Sequence, residues 1–326
     1  MPILLSEDDV RAVLSMDDLV RAMHSALRQF SSGRVSQPLR TVLEVGAQKA
    51  YFGVMPAFID DPPVLGTKLV TVYASNAQAK LPSHLATIIL LDSATGELLA
   101  VMDGRYITEA RTAAVSAASV QLLARDGAST LAILGSGVQA RSHLEAISSV
   151  AALEDVRVWS PNEARRAAFA WEMQKQGAPA IRPMDSARDA VRGADIVVLA
   201  TASREPVVHG EWIADGAHVC AVGACRPDQR EMDTALVQRG RVFVDSRVGA
   251  LAEAGDLVLP IVEGAIGPDH IAGELGELAL GRIQGRLSAG DVTIFKSLGM
   301  AVEDLAAAHL AYVRAAERGL GRGFVL

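Results

Sequence analysis

The chain has 326 residues, half of them hydrophobic, with 31 Lys+Arg against 38 Asp+Glu and a formal net charge of −7. That length exceeds one typical core and suits two domains. The acidic balance without a basic cluster speaks against a nucleic-acid partner, and no apolar run reaches membrane-spanning length. The first residues lack the basic start and apolar centre of a signal peptide, so a cytoplasmic protein is expected. Ser6-Glu-Asp-Asp9 and Ser15-Met-Asp-Asp18 read as capping boxes with Asp in the place of Glu. The second opens an amphipathic helix through Phe30 that stops at Ser31-Ser-Gly33. From Leu39 the pattern turns strand-like, over residues 39–45, 51–57, 66–73, 86–91 and 98–102. Turn signals at Asp60-Asp-Pro-Pro63 and Ser93-Ala-Thr-Gly96 make this an expected antiparallel meander. His84 follows a polar stretch at 75–80 and reads as a loop residue or a cofactor contact. Thr108 is expected to cap an Ala-rich helix running to about Ala124.

The stretch Thr130-Leu-Ala-Ile-Leu-Gly135-Ser-Gly137-Val-Gln-Ala140 carries the strongest chemical signal. An apolar run of strand length meets a G-x-G-x-x-A turn, and residues 141–150 can form the helix that follows. Gly135 permits the tight turn, Gly137 lets backbone approach a pyrophosphate, and Ala140 allows close helix–strand packing. Free N–H groups at the helix start then face the phosphates. Short apolar strands at 155–159, 195–200, 218–222 and 241–245 continue the alternation, which predicts a Rossmann-type parallel sheet. Cys220 and Cys225 lie on or just after one of these strands and are not expected to bridge. A last helix over 301–318 returns to the first domain. The expected fold is therefore α/β: a parallel-sheet dinucleotide domain over 116–299, and a smaller α+β domain over 1–115 with an antiparallel sheet, completed by 300–326.

The second strand of the dinucleotide domain ends in Trp159-Ser160-Pro161-Asn162-Glu163-Ala-Arg165-Arg166, without the acidic residue that holds the ribose of NAD. Ser160, Pro161 and Glu163 read as N-cap, first helical residue and capping-box partner. Two arginines early in a helix oppose its dipole. A 2′-phosphate would explain them, which favours NADPH while leaving NADH possible. Three further cations, Arg40, Lys68 and Arg111, are either solvated surface charges or, if they converge, a carboxylate site. Arg40 and Lys68 fall in predicted strands. Arg111, three residues after Thr108, opposes the dipole of its helix unless an anion is near. Neither arginine reads as core. No metal-binding pattern and no G-x-S-x-G elbow occur.

These residues carry a resemblance over nearly the whole chain. Gly53-Val-Met-Pro56, Gly66-Thr-Lys-Leu-Val70, Pro82-Ser-His84, Ala100-Val-Met-Asp-Gly104 and Ala110-Arg-Thr-Ala-Ala-Val-Ser116 are its first segments. Val222-Gly-Ala-Cys-Arg-Pro-Asp228 and Phe295-Lys-Ser-Leu-Gly-Met-Ala-Val-Glu-Asp304 complete it. The chain resembles the ornithine cyclodeaminase/mu-crystallin family, and within it the ketimine-reducing branch. The resemblance implies a homodimer whose first domain makes the dimer contact and holds a small substrate, while the Rossmann domain holds a nicotinamide cofactor. By position, it makes Arg40, Lys68 and Arg111 the substrate-carboxylate residues. Ser83, His84, Thr87, Arg111, Thr112, Ser136, Val138, Gln139, Thr201, Ala202, Val222, Gly223 and Ser297 match cofactor contacts, beside Gly135 and Gly137. Ser160, Asn162 and Arg165 fall where NADPH-binding members contact the 2′-phosphate, and Glu253 matches a ligand-pocket residue of the reducing branch.

Two departures separate the chain from the cyclodeaminases. Where those enzymes carry an Asp that handles the substrate amine proton, this chain has Cys225. Their active-site Glu before Met-Pro is Val54 here. A thiol titrating near ~8.5 accepts a proton poorly from an ammonium group. Reducing a preformed, protonated imine needs no such base. The expectation is an NAD(P)H-dependent reductase of cyclic ketimine acids, Δ1-pyrroline-2-carboxylate and Δ1-piperideine-2-carboxylate. An ornithine cyclodeaminase, an open-chain imino acid reductase such as an alanine dehydrogenase, and a non-catalytic ligand-binding protein are the alternatives.

Overall fold

The computed structural model describes residues 1–46, 50–79 and 81–325. The chain forms two compact units, Met1–Arg111 with Met300–Leu326, and Thr112–Gly299. The first unit opens with strand β1 (Ile3–Leu5) and two capped helices, α1 (Glu7–Val13) and α2 (Met16–Ser31). Ser6 and Asp9 form the reciprocal capping box, and Ser15 accepts from the Asp18 N–H, as the sequence predicts. After the short β2 (Val35–Ser36) come β3 (Thr41–Val45), β4 (Ala50–Asp60), β5 (Pro63–Val72), β6 (His84–Leu91) and β7 (Leu98–Asp103). From β3 to β7 each strand pairs antiparallel with the next, which is the expected meander. Between β5 and β6, Ala74–Ala79 make a 3-10 turn, whereas Lys80, the end of the polar stretch at 75–80, lies outside the described residues. His84 is not in a loop but opens β6, opposite Val72.

Helix α3 (Arg105–Leu123) begins four residues earlier than expected. The carboxylate of Asp103 accepts the Tyr106 N–H (3.1 Å) and starts it. Thr108 is no cap, because it lies inside the helix, its hydroxyl donating to the Gly104 carbonyl (2.7 Å).

The second unit alternates strands and helices. In chain order these are β8 (Thr130–Leu134), α4 (Val138–Ser148), β9 (Asp155–Trp159), α5 (Glu163–Lys175), β10 (Ile181–Pro183), α6 (Ala187–Val191), β11 (Ile196–Leu199) and β12 (His218–Ala221). They continue as α7 (Thr234–Arg239), β13 (Arg241–Val244), α8 (Arg247–Glu253), α9 (Gly255–Val262), β14 (Ile271–Glu274), α10 (Leu275–Ala279) and β15 (Thr293–Lys296). The sheet order is β10-β9-β8-β11-β12-β15-β13-β14, with every pairing parallel. Strands β11 and β12 are buried at every position, which explains why they read as apolar strands, and β15, which the sequence pattern does not predict, is equally buried. Helix α4 starts at Val138 rather than Arg141, directly on the glycine turn.

A buried polar chain ties α3 to this sheet. His143 Nδ1 donates to the Gln139 carbonyl (2.7 Å), and the Nε2 of the neutral ring accepts from Ser116 Oγ (2.9 Å). His218 hydrogen-bonds through Nε2 to Ser119 Oγ (3.0 Å) and through Nδ1 to Thr293 Oγ1 (2.9 Å). Burial pushes His143 down to about 4 and His218 to about 3, so both are neutral.

Helix α11 (Ala301–Arg318), ended by Gly319 in the left-handed region (φ 64°), packs on α2, β4, β5 and β6 of the first unit. The terminal β16 (Arg322–Gly323) pairs with β1, which itself adds parallel to β7. No helix among the described residues is long and apolar enough to cross a membrane.

Candidate active site

In the first unit, four charged side chains are buried together. Lys68 sits mid-strand on β5, facing Met55 on one side and Ile88 on the other, and is 2% exposed. Its Nζ lies 2.5 Å from Asp304 Oδ2. Arg111 of α3, 4% exposed, donates from Nε to Asp304 Oδ1 (2.9 Å) and from Nη1 to Glu303 Oε2 (2.6 Å). Glu303 also accepts the Met300 N–H (3.1 Å), so it starts α11 and binds Arg111 with one carboxylate. Two fully buried carboxylates thus face two buried cations. Burial pushes the Lys68 amine down to about 8, against the pull of Asp304. For Asp304, burial opposes ionisation, but Arg111 and Lys68 outweigh it and hold its carboxyl below the usual range. Burial, reinforced by the charges of Lys68 and Arg111, pushes the neighbouring His84 down to about 4 and keeps it neutral.

Lys68 and Arg111 are therefore not solvated surface charges. The dipole argument for Arg111 also fails, since it lies nearly two turns inside α3, where the end charge has faded. What compensates it is a pair of carboxylates about 190 positions away in the chain. Arg40 is half-buried and precedes β3 rather than lying within it. It adjoins Thr41, which pairs with Val54, which pairs with Leu69, the neighbour of Lys68. Register places it near the Lys68 row. Ser83 and Thr87 are exposed, Ser83 before β6 and Thr87 on it.

The second unit shows the glycine turn at the carboxyl end of β8. Gly135 has φ 125°, and a Cβ there would meet the Ala200 carbonyl oxygen at 2.4 Å, so only glycine fits. Gly137 is the N-cap of α4 and offers no side chain to its first-turn N–H groups; a Cβ there would meet nothing within 4 Å. The turn is open on that side, Val138 is exposed, and the buried Gln139 Oε1 has no hydrogen-bond partner. Ser136 Oγ donates to Ser160 Oγ (3.0 Å), which donates to the Asn162 carbonyl (3.2 Å).

Two expectations at the second turn need correcting. Asn162, not Ser160, caps α5 by accepting the Arg165 N–H (2.9 Å), so Pro161 and Glu163 do not hold the cap roles read from sequence. Arg166 is a buried structural cation that donates to the Ser160 carbonyl (3.1 Å) and reaches Asp185 (3.3 Å). Of the two arginines, Arg165 is the exposed one.

Thr201 and Ala202 follow β11, and Val222 and Gly223 follow β12, since the latter strand ends at Ala221. Ser297, just past β15, is 1% exposed with an unpartnered Oγ. Thr112 is buried on α3. Cys225 is half-buried and its Sγ donates to the Val222 carbonyl (3.3 Å). Glu253 ends α8, half-buried. An open glycine turn, an uncapped helix start of 11 residues and two orphaned buried polar atoms fit a bound dinucleotide.

Three carboxylates escaped the sequence reading: Asp304, Glu303 and Glu231. The last is fully buried and accepts from the backbone of Thr201, Gly223 and Ala224. For Glu303 and Asp304 the available signal was an acidic pair opening the Ala-rich helix at 301–318. Among the described residues no His/Cys/Asp/Glu group could hold a metal ion.

With this geometry in view, the ornithine cyclodeaminase/mu-crystallin family model matches residues 1–319. The chain belongs to that family. Within it, the mouse (Mus musculus) ketimine reductase mu-crystallin is 43% identical over 315 residues, covering 95% of this chain and 96% of the relative. The structure of Thermococcus litoralis Δ1-pyrroline-2-carboxylate reductase with NADH and L-proline superposes with a TM-score of 0.96 at 39% identity, covering 99% of this chain and 100% of that one. An archaeal alanine dehydrogenase dimer with bound NAD gives 0.94 at 30% identity, covering 100% and 99%.

Proposed function

We propose that this protein reduces small cyclic ketimine carboxylates, Δ1-pyrroline-2-carboxylate and Δ1-piperideine-2-carboxylate, to proline and pipecolate. The carrying observation is the buried group of Lys68, Arg111, Asp304 and Glu303, built around cations yet lacking the acidic residues a cyclodeaminase places at positions 54 and 225. The relatives named for ketimine and pyrroline-2-carboxylate reduction support the same chemistry. Arg111 and Arg40 bind the substrate carboxylate, Arg111 while still held in place by Glu303. Lys68, with its amine brought down to about 8, donates a hydrogen bond to the lone pair of the imine nitrogen and passes that proton to it as the nitrogen becomes an amine. A reduced nicotinamide dinucleotide held at the Gly135–Gly137 turn would supply the hydride needed at C2 of the C=N bond. The nitrogen retains its proton in the amine product, so no base is needed at Cys225. The half-buried, neutral His84 adds no competing positive charge beside the clamp.

Homodimerisation through the first unit belongs to the same reading. Leu39, Val42 and Leu43 on and beside β3, and Leu81 and Leu85 before and on β6, are 43% to 57% exposed, apolar surface of the kind covered in oligomers. The two free cysteines suit a reducing, cytoplasmic setting. The test follows NADPH and NADH oxidation with the two cyclic ketimines, with pyruvate plus ammonia, and the reverse arm with ornithine plus NAD⁺. Turnover of the cyclic ketimines is expected. Release of ammonia from ornithine would overturn the reading in favour of a lyase, and turnover of pyruvate plus ammonia alone would make the enzyme an open-chain reductase.

A further inference from the structure

Past the carboxyl ends of β11 and β12 the ladder that holds two parallel strands together runs out. The last main-chain bonds are those from Val222 N–H and Gly223 N–H to the Leu199 carbonyl, at 2.9 and 3.2 Å. Beyond them one side chain takes over. Glu231 Oε1 accepts the Thr201 N–H (2.7 Å), and its Oε2 accepts the N–H groups of Gly223 (2.6 Å) and Ala224 (3.2 Å). A single carboxylate, 0% exposed, thereby bridges the tips of two adjacent strands.

Glu231 is itself held from behind. Its carbonyl accepts the Val207 and Val208 N–H groups (2.8 and 3.2 Å), and its own N–H donates to Asp256 Oδ1 (2.8 Å). Asp256 also accepts the Met232 N–H (3.0 Å), and its Oδ2 lies 2.9 Å from Lys296 Nζ at the end of β15. Asp256 and Lys296 are 0% exposed as well. The fit around the bridge leaves no slack: a Cβ on Gly223 would meet the Thr201 carbonyl at 2.1 Å and Glu231 Oε1 at 2.6 Å.

These tips carry Thr201, Ala202, Val222 and Gly223, and the unpartnered Ser297 hydroxyl lies at the end of the neighbouring strand β15. The carboxyl ends of parallel strands are where such sheets bind their ligands. The glycine turn at Gly135 and the second turn at Ser160 to Arg165 lie at other strand ends, those of β8 and β9, and Glu231 bonds to neither. We propose that Glu231 is a positioning residue for the nicotinamide half of the dinucleotide site, fixing the spacing of Thr201 and Gly223–Ala224 without touching the adenosine half. This rests on the dinucleotide-dependent reading above.

Glu231→Gln keeps the shape but replaces one acceptor oxygen with an NH2 that faces backbone N–H groups. Dissociation constants for NADPH and for adenosine 2′,5′-bisphosphate, a probe of the adenosine half, are measured by protein fluorescence. The expected result is about tenfold weaker NADPH binding, the scale for leaving buried donors unpaired, with the bisphosphate unchanged within about twofold. Equal weakening of both ligands would reduce Glu231 to general support of the fold, and no change in either would remove it from the site. Wild-type protein that binds neither ligand would overturn the dinucleotide reading itself. Should the variant fail to fold, hydrogen exchange on the wild-type protein decides. The Thr201 and Ala224 amides, outside any strand, are expected to be as protected as strand amides; loop-like exchange would overturn the bridge.

Discussion

On the proposed function, Arg111 is where carboxylate binding and folding become inseparable. It is paired with Glu303 and Asp304 in a space without solvent, so truncating it leaves two buried carboxylates with a single cation. Arg111→Ala is therefore expected to lose both activity and about 3–5 kcal/mol of stability, the scale for breaking a buried pair from one side. Arg40, half-buried, offers the contrast. Arg40→Ala should cost about 2–4 kcal/mol in kcat/KM and leave the urea midpoint near that of the wild type. Equal stability losses in the two variants would show that Arg40 is also structural. Asp304 tunes Lys68 rather than binding substrate. A protonated Lys68 is lost as pH rises through its value of about 8, so the alkaline limb of kcat/KM should lie there. Asp304→Asn removes the charge that holds the lysine proton, so that limb should move to lower pH. A limb that stays put, or moves up, would assign it to another group. The cations were legible in the sequence as residue types, but their burial was not. Lys68 and Arg111 look like surface charges until α11 brings its carboxylates back, and nothing local to either residue announces that return.

Elements were read best where their signals are short-range. The capping residues Ser6 and Ser15, the G-x-G-x-x-A turn and the five-residue β9 all emerged from contiguous residues. Helix α3 was started too late because its opening carboxylate, Asp103, belongs to the preceding strand. Strands β10 (Ile-Arg-Pro) and β14 (Ile-Ala-Gly-Glu) carry one large apolar residue each and so do not stand out from their surroundings. Helix α5 has a consequence for cofactor choice. With Arg166 committed to the Ser160 carbonyl, Arg165 is the cation left to meet a 2′-phosphate. Arg165→Ala should raise KM for NADPH about tenfold and barely alter KM for NADH. Equal effects, or a wild-type preference for NADH, would make it a surface charge. The buried histidines of α4 and β12 predict acid sensitivity. Their folded values, about 4 for His143 and about 3 for His218, lie below the ~6.5 of an unfolded chain. Between those limits the unfolded state binds more protons, so stability falls as pH falls, by about 1.4 kcal/mol per pH unit for each histidine. Urea unfolding of His218→Gln between pH 6 and pH 4 should show a slope shallower by about that amount. An unchanged slope would mean that His218 is already protonated in the fold.

At the scale of the whole molecule, the alternation of strand and helix announced the parallel sheet, and the turn signals announced the meander. The order of strands did not follow from either. Register with partners distant in the chain, such as β1 on β7 or β15 between β12 and β13, leaves no mark in the residues themselves. The exposed apolar residues around β3 carry the assembly prediction. Light scattering should give a mass of two chains for the wild type, and Leu43→Glu should give one. A wild type with the mass of a single chain would dismiss the dimer.

The position of β15 has a bearing on how the protein is made. It is the last strand of its sheet to leave the ribosome, yet it lies in the interior, flanked by β12 on one side and β13 on the other. Until residues 293–296 emerge, β12 and β13 have no partner where the sheet must close, and each shows a row of bare main-chain groups. The first unit waits even longer, because α11 covers its meander and brings the counter-charges of Lys68 and Arg111. The second unit therefore cannot close before residue 296 is made, and the first cannot before α11 is complete. A premature stop before residue 293 would release a polypeptide with an unsealed sheet in one unit and unneutralised cations in the other, a substrate for chaperones and proteases rather than a partial enzyme.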